Sequence, residues 1–184
     1  MDYKTKPTSR DQLRIIAKAV RQAFGCKNKL RFDVIDAFER ASDIFPFLVT
    51  TVVEDDELPL DIPARCTPDF NGNYTIEVKN TIYEGAVAGI GGYRGHILHE
   101  ICHGILCYLG FTPIMERTFK NNELDAYESM EWQAKALCGE ILIPYDKTVG
   151  MSVRQIMHYC KVSYDCASLR VNEFRKKKSI FKRS

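Results

Sequence analysis

Residues 93–109 read YRGHILHEICHGILCYL, a helical pattern that Gly110 and Pro113 bring to an end. Within it stands His99-Glu100-Ile101-Cys102-His103, a match to H-E-x-x-H. At about 100° per residue, helix positions four apart lie about 40° apart on one face, so both imidazoles can reach one metal ion. Glu100 is rotated away from that pair, far enough to meet a metal-bound water instead. Leu98, Ile101, Cys102 and Ile105 occupy the remaining side, which predicts a buried helix whose polar face lines a cleft. His96 lies one turn earlier near the same face, and a surface or cap histidine is its simpler reading.

Two histidines leave a tetrahedral zinc one protein ligand short, with the fourth position for water. The pattern H-E-x-x-H-x-x-G-x-x-H is excluded, because Leu106 and Leu109 stand where its Gly and third His would be. A later helix, capped by Asn121 or Asn122 and closed after Ile143 by Pro144, offers Glu123, Asp125, Glu128, Glu131 and Glu140. Glu131 borders the apolar stripe Met130, Ala134, Leu137, Cys138 and Ile141, and a carboxylate there must be paired or hold a cation. On the same wheel Asp125, Glu128 and Glu140 point toward solvent. Glu123 is on the stripe side, but in the first turn the helix dipole already accounts for it. Spacing favours Glu131, with Glu123, Glu128, His96 and Cys66 as alternatives.

Around this core the chain is ordinary. It has 184 residues, 45% hydrophobic and 27% charged, which fits one globular domain and excludes a disordered or collagen-like chain. A net charge of +2 is too balanced to make the whole surface a nucleic-acid face. The N-terminus lacks an apolar signal core, and no stretch reaches the ~20 apolar residues of a membrane span, so a cytoplasmic location is expected. The 7 cysteines include no Cys-x-x-Cys pair and are expected to be reduced. Helices are predicted over 9–24, from Ser9 with Gln12 as a capping box, and over 34–45. Strands are predicted over 47–53 and 74–79, the second half-exposed, with a long acidic connection over 54–73 between them. The run GAVAGIGG (85–92) lacks the spacing and the Gly-Lys-Ser/Thr ending of a phosphate loop. Two short helices over 151–174 and a basic tail, 175–184, complete the chain.

The later helix extends the pattern. EWQAKALCGEILIP, Glu131 to Pro144, resembles the E-x-x-A-(N/D)-x-F-A-x-x-L-L-M-P segment of the ImmA/IrrE family of zinc peptidases. Glu131 takes the third-ligand place, Ala134 the Ala, and Leu142-Ile143-Pro144 the closing apolar-apolar-Pro. The strand before the HExxH helix, and Val162, Ser163 and Arg170 near the C-terminus, extend the likeness to about half the chain. Lys135 and Leu137-Cys138 depart from the family pattern, and the acidic connection has no clear family equivalent.

The resemblance implies an α+β, zincin-like fold in the gluzincin arrangement. A small mixed sheet and N-terminal helices would frame two central helices carrying His99, His103 and Glu131. It implies a peptidase domain over 1–150 with the small helical segment 151–174 packed on it. It also implies a zinc endopeptidase with Glu100 as general base, cutting a helix-turn-helix repressor in a bacterium, phage or mobile element. Manganese or iron would also suit two histidines and a carboxylate. Tyr93, Tyr127 and His158 are candidate oxyanion donors, and the 74–79 strand is a candidate for pairing with extended substrate.

Two other functions fit parts of the pattern. In a peptide-deformylase-like hydrolase, Cys66 would complete the site, although PARCTPDF (63–70) lacks the Glu-Gly-Cys-Leu-Ser surroundings. In a non-catalytic regulator the metal would be structural, and Arg170, Arg175, Lys176, Lys177, Lys178, Lys182 and Arg183 would face DNA. A solvated tail is the simpler account of those cations, so direct DNA contact is not expected.

Overall fold

The computed structural model describes residues 2–114 and 124–181. Its class is α+β. Helix α1 (Arg10–Ala23) starts at the predicted capping box, where the Gln12 N–H donates to Ser9 Oγ and the Ser9 N–H to Gln12 Oε1. The predicted 34–45 helix is two, α2 (Val34–Glu39) and α3 (Ala41–Ile44), because Arg40 leaves helical space at φ −102° and ψ 7°.

The sheet has the order β1-β3-β2, with β1 (Leu48–Val53) parallel and β2 (Ala64–Pro68) antiparallel to β3 (Tyr74–Lys79). Two expectations change here. The 74–79 strand is central, with Ile76 and Val78 fully buried, so its edges are already taken. The 54–73 connection contains β2, whose outer edge pairs with no strand among the described residues. A turn in which the Asp69 carboxylate accepts from the Asn71 and Asn73 N–H groups joins β2 to β3, with Gly72 at φ +83°. The rest of the connection is fastened from β3, since the buried Lys79 ammonium donates to the Pro59 carbonyl at 2.7 Å.

Helices α4 (Asn80–Val87) and α5 (Gly91–Tyr108) follow, and α5 lies against β2 and β3. The approach to the sheet is tight at Gly104, where a Cβ would fall 2.6 Å from Leu48 Cδ2 of β1. Helix α6 (Met130–Leu142) begins later than predicted, capped by Ser129 Oγ accepting from the Trp132 N–H, with Ala126–Glu128 forming a 3-10 turn before it. Asn121, Asn122 and Glu123 lie outside the described residues. Short α7 (Tyr145–Thr148) and α8 (Val153–Cys160) lead to α9 (Tyr164–Phe181), which runs beyond the predicted end at Phe174 into the basic stretch. All seven cysteines are free thiols. Among the described residues no helix is long and apolar enough to cross a membrane.

Helix α6 is wrapped on several sides by α1, α5 and the Arg170 side chain of α9. That overturns the solvent-facing reading of Glu140, whose side chain is fully buried. It accepts from Arg14 Nε and Nη2, both at 3.1 Å, and pairs with Arg170. Arg170, 3% exposed and also bound to the Ile143 carbonyl, is likewise removed from the cations that could face DNA.

Helix α8 ends on Lys161, at φ +57° and ψ +45°, the one left-handed non-glycine among the described residues. Glycine takes this conformation without the Cβ penalty. Lys161→Gly is expected to raise stability by about 0.5–1 kcal/mol, visible as a higher urea midpoint with an unchanged slope.

Candidate metal centre

The middle of α5 and the first turn of α6 face each other. His99 Nε2 lies 3.0 Å from His103 Nε2, with the two rings nearly perpendicular. The Glu131 carboxylate straddles them, Oε2 standing 3.3 Å from His99 Nε2 and Oε1 3.3 Å from His103 Nε2. His99, His103 and Glu131 are the one group of three or more His, Cys, Asp or Glu side chains placed to hold a metal among the described residues. Bond lengths of ~2.0–2.1 Å in a tetrahedral zinc site put neighbouring donors ~3.3 Å apart. The imidazole nitrogens stand 3.0 Å apart, and each lies 3.3 Å from its own Glu131 oxygen, separations of that size.

The Lys135 ammonium stands 3.7 Å from Glu131 Oε2, and both imidazoles are held in the neutral form. Burial pushes the His99 pKa down to about 4, helped by its neighbour His103, and Glu131 only partly offsets this. Burial lowers His103 as well. Both rings are thus neutral at pH 7, the form that ligates metal. Glu100 moves the other way, held up at about 7 by burial and by the negative charge of Glu131, against a backbone hydrogen bond from Cys66. A carboxyl poised near neutrality suits a general base.

The first turn of α6 is held from the far end of the chain. The Asp2 carboxylate accepts from Ser129 Oγ at 2.6 Å and from the Glu131 N–H at 3.1 Å. Backbone bonds from Met130 to Tyr3 and from Thr5 to Glu128 continue that strap. Burial raises the Asp2 pKa, but the hydrogen bonds it accepts from Ser129, Glu131 and Tyr3 and the charge of Lys135 outweigh it, and the net shift is downward. No sequence signal connected Asp2 with Glu131, because the contact spans 129 positions.

Glu100, His103 and Glu131 open onto a cleft of about 640 Å³. Residues Ala64 to Cys66 of β2 form one wall, and Pro59 and Ile62 of the acidic connection extend it. Cys66 is in the cleft but outside the donor group, and burial pushes its thiol strongly upward. Glu128 belongs to the 3-10 turn and His96 is exposed, and neither joins the donors.

None of the three proposed oxyanion donors lines the cleft. The Tyr93 ring packs over Gly85, the exposed Tyr127 hydroxyl donates to Asp125, and His158 lines a different cavity. The phenols in the cleft are Tyr3 and Tyr74, and burial raises the Tyr74 pKa, so it stays a proton donor.

Compared with known proteins, the sequence matches no protein-family model and no curated protein.

Proposed function

We propose that this chain is a zinc-dependent endopeptidase in the gluzincin arrangement, with His99, His103 and Glu131 as metal ligands and Glu100 as general base. The observation that carries this reading is the clustering of the His99 and His103 nitrogens, 3.0 Å apart, each 3.3 Å from a Glu131 oxygen, beside a cleft lined by a carboxyl held near neutrality. Zinc bound there would supply a Lewis acid that polarises a carbonyl and lowers the pKa of a water to ~7. Glu100 accepts the proton of the attacking water and returns it to the leaving amine. Tyr74 or Tyr3 donates to the oxygen on which negative charge develops. The outer edge of β2, which pairs with no strand among the described residues, offers main-chain hydrogen bonds to an extended peptide in place of the 74–79 strand.

The substrate follows from the resemblance to ImmA/IrrE peptidases: a helix-turn-helix repressor in the cytoplasm of a bacterium or of the host of a mobile element. A peptidase of this kind must meet its target as an unfolded or extended segment, since a cleft of about 640 Å³ admits a strand rather than a packed domain.

Metal analysis tests the first half of this reading. Chain purified without chelator is expected to hold close to one zinc, and His103→Ala and Glu131→Gln are each expected to lose it. Zinc retained at wild-type affinity in Glu131→Gln would remove Glu131 from the ligand set and return Cys66 or Glu123 to consideration. Failure of the folded wild type to bind added zinc, manganese or iron would end the peptidase reading.

A further inference from the structure

A second cavity, of about 590 Å³, lies at the N-terminal end of α5, away from the metal donors. Four cationic side chains line it: Arg31, Arg94, Arg154 and Lys161. No carboxylate lines it among the described residues. Arg31 is answered by Asp33 at 3.2 Å, whereas Arg94, Arg154 and Lys161 have no ion pair among the described residues. In a protein whose total charge is only +2, three unanswered cations around one concavity are a local excess.

The cavity is built rather than incidental. Arg94 is fixed over it, its Nε donating to the Ala86 carbonyl at 3.1 Å, and the Nη2 atom would stand 3.7 Å from a Cβ at Gly89. Lys161 keeps a left-handed backbone at a position where glycine would be easier, and its side chain is one of the cations that result. The start of α5 meets the start of α9 here, since a Cβ on Gly91 would fall 3.0 Å from the Ser163 nitrogen. Ser163 caps α9, and α5 has no side-chain cap. Both helices contribute positive N-terminal ends to the charge already supplied by the side chains.

We propose that this cavity binds the phosphate chain of a small molecule, a di- or triphosphate, free or as part of a nucleotide. Guanidinium groups match phosphate oxygens in paired hydrogen bonds, and the ammonium of Lys161 supplies a point charge. The volume is that of a small-ligand site. The phosphates of a nucleic-acid duplex would call for a stripe of cations along a surface, and these cations converge on one hollow. This site stands independently of the peptidase reading. Gly91 is eight residues before His99 on the same helix, about 12 Å along its axis, so a bound anion would sit at the end of the element that carries both histidines.

Titration of the full chain with inorganic pyrophosphate, followed by amide chemical shifts and calorimetry, tests the proposal. Binding is expected to move the Gly91 and Ser163 amides and to weaken about tenfold in Arg154→Gln and in Lys161→Gly, with His103→Ala unchanged. Lys161→Gly removes the charge while easing the backbone, so lost binding in that variant cannot be ascribed to unfolding. Tighter binding of a nucleoside triphosphate than of inorganic tripolyphosphate would identify a nucleotide as the source, and equal binding a bare phosphate chain; both support the site. Shifts centred on the His99–Glu131 cleft and lost in His103→Ala would overturn it. So would pyrophosphate affinity unchanged in both cavity variants, or duplex DNA binding where pyrophosphate does not.

Discussion

Glu100→Gln is expected to keep the metal and the fold and to lower peptide-bond hydrolysis by about 10²–10⁴-fold. Glutamine preserves volume and can still accept the Cys66 backbone hydrogen bond, but it cannot take a proton. The same substitution carries a stability signature. Burial and the charge of Glu131 hold the Glu100 pKa at about 7 in the folded chain, above its ordinary 4.5. Between those values the folded, metal-free protein keeps a proton that the unfolded chain releases, so the wild type loses stability as pH rises through that window. Glutamine loses none. Metal-free Glu100→Gln is therefore expected to be more stable than wild type by about 1–3 kcal/mol at pH 8, a difference that vanishes near pH 4.5. A bound cation would draw the Glu100 pKa down and shrink the gap. Urea unfolding of both forms at pH 5 and pH 8, beside a cleavage assay, reads the two effects together. Cleavage at the wild-type rate would remove Glu100 from its role.

Glu140→Ala is expected to destabilise the protein by about 3–5 kcal/mol, the largest stability effect of any single change considered. The substitution takes from Arg14 and Arg170 the buried carboxylate they share and leaves them only the more exposed Asp11 and Glu173. Arg170 is buried, and Arg14 is held against the Tyr145 ring, its guanidinium carbon 4.1 Å from the centroid. The direction of the Arg14 shift agrees: burial lowers its pKa, yet hydrogen bonding to Glu140 and the charge of that carboxylate leave it raised. Chemical denaturation of Glu140→Ala and of the triple Arg14→Met, Glu140→Leu, Arg170→Met separates two possibilities. If the cost is uncompensated charge, the triple variant recovers most of it; if the site has a packing requirement only, the single variant is mild.

These two acids show what periodicity can and cannot carry. His99, Glu100 and His103 are legible because four residues is nearly one helical turn, a relation that holds wherever the helix begins. Glu131 was legible for the same reason: its place beside Ala134, Leu137, Cys138 and Ile141 does not depend on whether α6 starts at Asn121 or Met130. Glu140 was misread because the wheel assumes one wet face. Helix α6 has none over most of its length: Gln133, Ala136 and Leu142, off the stripe, are buried too. The partners that make a buried carboxylate tolerable come from α1 and α9, and nothing local announces them. Strand β2 was hidden for a related reason. ARCTP has a proline and no clean alternation, and its extended form comes from pairing with β3.

The Arg14–Glu140–Arg170 cluster also sets an order of events during synthesis. A ribosome working at about 5–20 residues per second needs roughly 6–25 s to add the 126 residues between Arg14 and Glu140. Throughout that interval Leu13, Ala17 and Val20 of α1, buried in the finished protein, have no α6 to cover them. The second arginine arrives later still, with α9. A nascent chain would thus display an amphipathic helix early and neutralise its central carboxylate last. That makes α1 the segment expected to engage a chaperone during translation, and it makes the emergence of α9 the step that secures the helix carrying Glu131.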